Sequence, residues 1–479
     1  MTAMPMPAAR TPLADLDPAI ALGALDGRYR GAVAPLVDHL SEAALNRARL
    51  HVEVEWLIHL TTRDVVPGAD HLSTGEQDAL RALVLDFDSA AIAELKDIEA
   101  ETVHDVKAIE YFLRRRLVDI VGADRAVSLG ELVHFACTSE DINNTSYALM
   151  VQGAVTEVWL PKARALVDQL SGMARDLAEV PLLAHTHGQP ATPTTMGKEL
   201  AVLAWRLTRQ LDRVGGTAYL GKLNGATGTY GAHVEAVPDA DWQQVSRSFV
   251  EHLGLTWNPL TTQIESHDWQ AELYADMARF NRILHNLATD MWTYISMGYF
   301  AQVRGQGTVG SSTMPHKVNP IRFENAEANL EVSDALLDVL ASTLVNSRLQ
   351  RDLTDSSMQR NIGTAFGHSL LALDNVSRGL AGLDAVPEAM ARDLDANWEV
   401  LAEPIQSVMR ALAARGVEGM TNPYERLKEL TRGRRIGQAE LVEFVRGLGL
   451  PAAEEERLVA LTPATYTGIA ASLVAHLDR

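Results

Sequence analysis

The stretch that organises the chain spans residues 310–320 and reads Gly-Ser-Ser-Thr-Met-Pro-His-Lys-Val-Asn-Pro. A loop with three glycines, residues 305–310, leads into it. At its end, Asn319 and Pro320 form the pattern of a helix N-cap followed by proline in the first turn. Residues 321–362 then contain neither Gly nor Pro, which predicts a long helix. Two serines, a histidine and a lysine therefore precede a helix N-terminus, which can hold an anion and stabilise an ionised hydroxyl.

Bulk composition limits the classes of function. A chain of 479 residues exceeds one ordinary core, so we expect two or three domains. The single cysteine, Cys137, excludes an internal disulfide and is typical of a reducing compartment. Residues 1–18 lack an apolar signal core, and no apolar run reaches the length of a membrane span, so we expect a cytoplasmic protein without a membrane partner. The formal net charge of -20 disfavours nucleic-acid binding, and it requires local cations for any anionic substrate.

Helical periodicity and the scarcity of strand patterns predict a mainly α chain. Helices are predicted over residues 41–62, 76–116, 147–180 and 196–214, with Pro161 as a candidate kink in the third. Residues 260–297 are predicted to form one long helix or two. We expect four segments: a flexible tail over 1–18, an N-terminal helical domain over 19–125, a central long-helix domain over 126–380 and a C-terminal helical domain over 381–479.

Small polar side chains crowd residues 134–146. Thr138 and Asp141 have the spacing of a capping box at a helix start. Capping does not account for Asn143 and Asn144, because Asn is a poor helix former in the next turn. Two interpretations stay open here, local capping and the wall of a ligand site.

A second stretch with candidate chemistry is residues 185–195, His-Thr-His-Gly-Gln-Pro-Ala-Thr-Pro-Thr-Thr. The His-x-His spacing of His185 and His187 is compatible with a metal site, but no Cys or acidic cluster stands near to complete the ligands. A histidine on a loop stiffened by Gly and Pro is better placed for general acid–base catalysis. An ordinary turn histidine remains the alternative for each of the two.

Two glycine-rich segments invite a cofactor interpretation. Residues 221–236 carry four glycines, which let backbone amides approach a phosphate, but they lack a Walker pattern. Residues 305–310 match the spacing Gly-x-Gly-x-x-Gly, yet a helical pattern precedes them instead of a strand. We therefore predict no cofactor and no metal, and we interpret the glycines of residues 305–310 as hinges of a lid.

The stretch 310–320 resembles the loop that marks the fumarase/aspartase superfamily. The form with Thr313 and His316 is similar to the adenylosuccinate lyase branch. The same resemblance runs through essentially the whole chain after the tail, in Thr-Ser-Glu-Asp-Ile-Asn-Asn at 138–144, Thr-His-Gly-Gln-Pro-Ala-Thr-Pro at 186–193, Gln-Arg-Asp-Leu-Thr-Asp-Ser at 350–356, and Asn-Trp-Glu-Val-Leu-Ala-Glu-Pro-Ile-Gln at 397–406.

The resemblance implies a three-domain lyase chain whose central bundle of long helices forms a tetrameric helical core. It implies a homotetramer with active sites built from several subunits. The expected reaction breaks a C–N bond and releases fumarate. The expected substrates are the nucleotide adenylosuccinate, which gives AMP, and the succinyl-carboxamide ribotide of purine synthesis.

The matching positions imply roles for individual residues. Ser311 corresponds to the general base and His187 to the general acid. Lys317 and Asn319 are placed to stabilise the negative charge that develops on a substrate carboxylate. The full set of implied substrate-binding residues is Arg28, Tyr29, His104, Asp105, Thr138, Ser139, Gln263, Ser312, Lys317, Asn319, Asn325, Arg351, Ser356 and Arg360.

Two departures from the family pattern concern binding and the lid. Val103 stands where close relatives commonly have Asn, which removes a side-chain contact, and Thr308 stands where they tend to have Glu. Two alternatives are weighed against the main hypothesis. One is another fumarate-releasing lyase, either argininosuccinate lyase or aspartase, which His316, Gln263 and Arg360 disfavour. The other is a non-catalytic, crystallin-like helical tetramer, which the intact catalytic residues disfavour.

Overall fold

A computed structural model of the chain describes residues 6, 21–302, 314, 318–431 and 436–478. These residues form two compact units, each made of three segments. The first unit contains residues 1–163, 210–282 and 326–374, and the second contains 164–209, 283–325 and 375–479. The predicted division into a tail and three domains is not tested by this grouping and stays a prediction.

Helices dominate the described residues, as the sequence predicts. The first unit contains the helices Arg30–Val33, Val37–Leu40, Glu42–Thr62, Thr74–Leu85, Ser89–Thr102, Asp105–Val121, Ala123–Gly130, Ser139–Gly153, Gly231–Ala236, Trp242–His252 and Thr354–Gln359, with a 3-10 turn at Ala34–Leu36 and a π-helical segment at Ala154–Trp159. Five helices contribute residues to both units: Leu160–Asp176, Met196–Gly215, Asp268–Ser296, Ile321–Leu344 and Ile362–Ala381.

The second unit adds shorter helices and two small sheets. Its helices are Pro387–Asp395, Ala402–Ala414, Pro423–Thr431, Gln438–Arg446, Ala452–Val459 and Ala470–Leu473, with 3-10 turns at Trp398–Leu401 and Val474–Asp478. Its strands pair antiparallel, Pro181–Thr186 with Gln189–Thr195 and Phe300–Gln302 with Leu383–Ala385. In the first unit, Leu220–Gly221 pairs parallel with Thr256–Trp257.

The prediction of one continuous helix over residues 76–116 is wrong. The structure breaks this segment twice, because Asp88 and His104 act as N-caps. Asp88 Oδ1 accepts the backbone N–H groups of Ala90 and Ala91, each at 3.0 Å. A side chain that satisfies free N–H groups starts a new helix at that point.

The predicted helix over residues 147–180 is also interrupted. The π-helical segment Ala154–Trp159 lies just before Pro161, which has no N–H to donate to the preceding turn. The helix resumes at Leu160 and ends at Asp176.

The helix after the 310–320 stretch begins where we predicted and ends earlier. It starts at Ile321, and the carbonyl of Pro320 accepts the N–H of Glu324 at 3.4 Å, so Pro320 occupies the cap position that we predicted for Asn319. It ends at Leu344. Beyond it, Asp352 accepts the backbone N–H groups of Arg348 and Thr354 at 2.8 Å, and such local bonds compete with helical ones.

The helix Glu42–Thr62 lies almost entirely inside the first unit. Ser41 caps it, with Oγ accepting the N–H of Ala44 at 3.1 Å. Its buried side chains include charged ones, among them Arg49 and Glu55. Charged side chains are rarely buried without partners, so these residues require partners within the first unit. None of the helices in the described ranges has the length and apolar character that a bilayer crossing requires.

Candidate active site

Predicted substrate-binding residues come together around one cavity of the first unit. The cavity has a volume of about 380 Å³. Eight of the predicted residues line it: His104, Asp105, Thr138, Ser139, Gln263, Arg351, Ser356 and Arg360. The structure therefore joins four separate parts of the sequence at a single concave surface, while the binding role of each residue stays a prediction.

The starts of two helices supply half of these residues. His104 caps the helix Asp105–Val121, and its Nδ1 accepts the N–H of Lys107 at 3.3 Å. Thr138 precedes the helix Ser139–Gly153, and its backbone N–H donates to Asp141 Oδ2 at 2.8 Å. Helix N-termini carry partial positive charge, which favours anionic groups nearby.

Arg351 is held by carboxylates at one side of the cavity. Its Nη1 lies 2.6 Å from Asp355 Oδ2, and its Nη2 lies 3.0 Å from Glu140 Oε1. The same Nη2 donates to Ser356 Oγ at 3.2 Å. Burial alone would raise the pKa of Asp355, but the hydrogen bond from His267 and the charge of Arg351 hold that pKa below its usual value.

Asp105 lies between two arginines at another side. Its Oδ2 is 2.8 Å from Arg49 Nη2 and 3.4 Å from Arg360 Nη2. Burial alone would raise the pKa of Asp105, but these charges and a backbone N–H keep it low. The cavity lining contains three arginines, Arg49, Arg351 and Arg360, and two acids, Asp105 and Glu140. Its formal charge is therefore +1, whereas the whole chain has a formal net charge of -20.

Six lining residues are absent from the predicted set: Arg49, Glu140, Asn143, Tyr147, Leu353 and Ser357. Asn143 was one of two candidates for a ligand wall, and it lies at the cavity. Asn144 is buried, and its amide bonds the backbone of Lys222, so it serves the local structure instead. Tyr147 is also deep, and burial raises its pKa to about 12.

Helical periodicity in the sequence is a signal that identifies some of these residues. Asn143 and Tyr147 are four positions apart on one helix and therefore share a face. Glu140 lies within the quoted motif, three residues before Asn143, and bonds it at 2.9 Å. No local pattern marks Arg49, because two of its three hydrogen-bond partners, Asp105 and Asn143, are remote in sequence.

Four predicted binding residues lie away from the cavity lining. Arg28 packs over the ring of Tyr29, with its guanidinium carbon 5.9 Å from the ring centroid, and Tyr29 contacts a small cluster with Leu25. In the second unit, Asn319 is exposed, and Asn325 accepts the amide of Asn375 at 2.9 Å.

His187 lies at the tip of the hairpin formed by Pro181–Thr186 and Gln189–Thr195. Because Thr186 pairs with Gln189, His187 and Gly188 are the two turn residues. Their φ angles are +52° and +71°, and two positive φ values are what a type I′ turn requires. The turn leaves both His185 and His187 exposed in this chain.

Several predicted residues lie outside the described part of the chain. They are Ser311, Ser312, Thr313, His316 and Lys317. Among the described residues, no group of three or more His, Cys, Asp or Glu side chains could hold a metal ion.

Comparison with known proteins gives matches along most of the chain. The lyase family model matches residues 27–332, and the model for the adenylosuccinate lyase C-terminal domain matches residues 347–467.

Two relatives match at nearly full length. The adenylosuccinate lyase of Escherichia coli strain K12 is 46% identical over 463 residues, covering 97% of this chain and 100% of that protein. The adenylosuccinate lyase of Haemophilus influenzae is 45% identical, covering 96% and 98% respectively.

The fold is shared more widely. The crystal structure of a fumarate lyase from Mesorhizobium sp. BNC1 superposes with a TM-score of 0.72 at 18% identity, covering 92% of this chain and 96% of that one. This likeness supports the mainly α lyase fold. Because the family models cover most of the chain and the identities hold over full-length relatives, the chain belongs to the adenylosuccinate lyase family.

Proposed function

We propose that the chain eliminates fumarate from adenylosuccinate, giving AMP, and from the succinyl-carboxamide ribotide of purine synthesis. The observation that carries the proposal is the cavity, where eight residues implied by the family pattern converge. Its lining is net positive although the chain is strongly acidic. An anionic nucleotide is the kind of small molecule that such a site attracts.

The reaction needs a base, an acid and a charge stabiliser, and the proposal assigns one group to each. Ser311 removes the weakly acidic proton next to a substrate carboxylate. Lys317 and the helix start after Pro320 stabilise the negative charge that then develops on that carboxylate. His187 protonates the departing nitrogen, a task that suits a group titrating near neutrality.

The proposed assembly is a cytoplasmic homotetramer whose active sites are shared between subunits. Two observations on the single chain support it. Trp205 and Trp292, on long helices, keep 39% and 43% of their surface exposed, as expected of residues that a further subunit covers. His187 is exposed at its hairpin tip, although an acid that protonates a leaving group works best in a site closed to water.

A substrate panel tests the proposed function. The purified protein is mixed separately with adenylosuccinate, argininosuccinate and aspartate, while fumarate formation and nucleotide absorbance are followed. We expect fumarate and AMP from adenylosuccinate alone. Turnover of argininosuccinate or aspartate instead would assign the chain to another lyase. No fumarate from any of the three, in a folded tetramer, would favour the non-catalytic alternative.

A further inference from the structure

Arg49 is a buried cation that the family pattern does not assign to the site. Its side chain is 2% exposed, yet it lines the cavity. Its Nη2 donates to Asp105 Oδ2 at 2.8 Å, its Nε to Asn143 Oδ1 at 2.9 Å, and its Nη1 to Asn46 Oδ1 at 3.1 Å. All three nitrogens of the guanidinium are therefore engaged.

These bonds join three helices at one planar group. Arg49 lies on Glu42–Thr62, Asp105 opens Asp105–Val121, and Asn143 is in the second turn of Ser139–Gly153. A guanidinium is rigid and presents its donors in fixed directions, so it sets the relative position of its acceptors.

The two distant acceptors each stand beside predicted substrate contacts. Asp105 follows His104, and Asn143 is one turn beyond Ser139, and all four line the cavity. The separation of these two walls therefore depends on Arg49.

We propose that Arg49 is a positioning residue of the active site, which acts on the substrate by holding Asp105 in its place on the cavity wall. This inference rests on the proposed function, because Asp105 is one of the proposed substrate contacts. It adds a residue from the first long helix to a site that the sequence motifs assign to other segments.

The charges around Asp105 support the assignment. Besides Arg49, the groups that face it are Arg360, at 3.4 Å, and the ring of His104, whose Nδ1 is 3.8 Å from Oδ1. The side chains of Arg360 and His104 are about half exposed, so solvent screens their charges. Arg49 is the buried partner, and its charge lowers the pKa of Asp105 against the opposing effect of burial.

The same helix offers a matched control. Arg47 is 1% exposed, lies two positions before Arg49 and donates its Nη2 to the backbone carbonyl of Asp38 at 2.6 Å. It does not line the cavity. Arg47→Met and Arg49→Met therefore each remove a buried arginine from one helix, and only the second touches the proposed site.

The first measurement is kcat/KM for fumarate release from adenylosuccinate, with the wild type as reference. We expect Arg49→Met to lose at least about tenfold, because small misplacements in a site are costly, and Arg47→Met to lose less than about threefold. We expect kcat/KM of Arg49→Lys to lie between those of Arg49→Met and the wild type, since lysine keeps the positive charge but lacks the planar group with several donors.

The pH dependence of kcat/KM gives a further comparison. Its acid limb should move to higher pH in Arg49→Met and stay in place in Arg47→Met.

The second measurement is a double-mutant cycle with Asp105→Asn. If Arg49 acts through Asp105, adding Arg49→Met to Asp105→Asn costs no more than about a further threefold. Losses that simply multiply, or Arg49 variants with unchanged kcat/KM and acid limb, overturn the inference. If neither Arg49 variant yields a folded tetramer, the residue is structural and the inference is also rejected. A wild type that releases no fumarate instead refutes the proposed function.

Discussion

The Nζ atom of Lys222 lies 2.8 Å from Oδ1 of Asp141, and neither side chain has any exposed area. The same carboxylate accepts the N–H of Asn224 at 2.9 Å and that of Thr138 at 2.8 Å. One buried acid therefore ties the glycine-rich loop to the start of the helix Ser139–Gly153, whose first residue lines the cavity.

We expect Lys222→Met to destabilise the protein by about 3–5 kcal/mol, because removal of one partner leaves a buried charge uncompensated. The free energy of unfolding in urea measures the effect. Arg247→Met is the control, since Arg247 and Glu251 form an exposed pair one turn apart on a helix. The control should lose far less. Equal losses of unfolding free energy in both variants would show that the buried pair stabilises the protein no more than the exposed pair does.

The hairpin tip gives a second prediction. Gly188 has a φ of +71°, which an L side chain adopts with strain, although the space around it is open. Gly188→Ala should therefore distort the turn that carries His187 and lower kcat, whereas Gly188→Asn should be tolerated better, because Asn accepts left-handed backbone. Both variants are compared by steady-state kinetics. A Gly188→Ala enzyme as active as Gly188→Asn would mean that the turn geometry does not position His187.

The two histidines of this hairpin should differ in importance. His187→Ala should lose about 100-fold or more in kcat, the range for a lost general acid, while His185→Ala should lose less than about tenfold. Single-turnover assays at saturating substrate measure both. Similar losses would contradict the assignment of the acid. A strong effect of a chelator on the wild type would instead revive the metal interpretation of the His-x-His spacing.

Acid lability follows from a buried histidine. Burial, assisted by the charges of Arg63 and His252, lowers the pKa of His59 to about 3. An unfolded histidine titrates near 6.5, so between those values the unfolded chain binds more protons. Stability that is present above pH 6.5 is then lost as the pH falls, by at most about 1.4 kcal/mol per pH unit from this group.

Urea unfolding at pH 7 and pH 5 checks this expectation. The wild type should lose stability on going to pH 5, and His59→Gln should lose less, since Gln keeps a polar contact to Ser248 and has no proton to gain. His71→Gln is the control, because the side chain of His71 is 62% exposed. The prediction is wrong if His59→Gln and the wild type lose equal stability between the two pH values.

The sequence predicts several long helices because their causes are local. The helix start after Pro320 is visible from the residue types, and the helices Glu42–Thr62 and Met196–Gly215 match their predicted bounds within two residues. The strand Gln189–Thr195 was missed, since Pro190 and Pro193 disfavour a strand and His-Gly is an unusual type I′ turn.

The cavity shows the same division between local and remote causes. His104, Ser139 and Arg351 are found through motifs that each occupy a few consecutive residues. Arg49 meets Asn143 across 94 positions of sequence, through the packing of two helices. No pattern in one sequence specifies that contact, and the helix that carries Arg49 is buried on all sides, so it shows no polar face that would mark a site.

The most direct test of the central claim combines two inactive variants. Ser311→Ala is expected to lose most turnover, because Ser311 is the proposed base, and His187→Ala is expected to lose the proposed acid. Each variant is first confirmed as an inactive tetramer. They are then refolded together, or coexpressed, and assayed for fumarate release.

If His187 and Ser311 reach one site from different subunits, hybrid tetramers contain sites with both residues intact. With equal amounts and random exchange, about a quarter of the sites are intact, since two independent choices must both be correct. We therefore expect activity to recover to about a quarter of the wild-type value. Hybrid tetramers that contain both variants, as shown by mass spectrometry, and yet stay inactive would contradict the shared site.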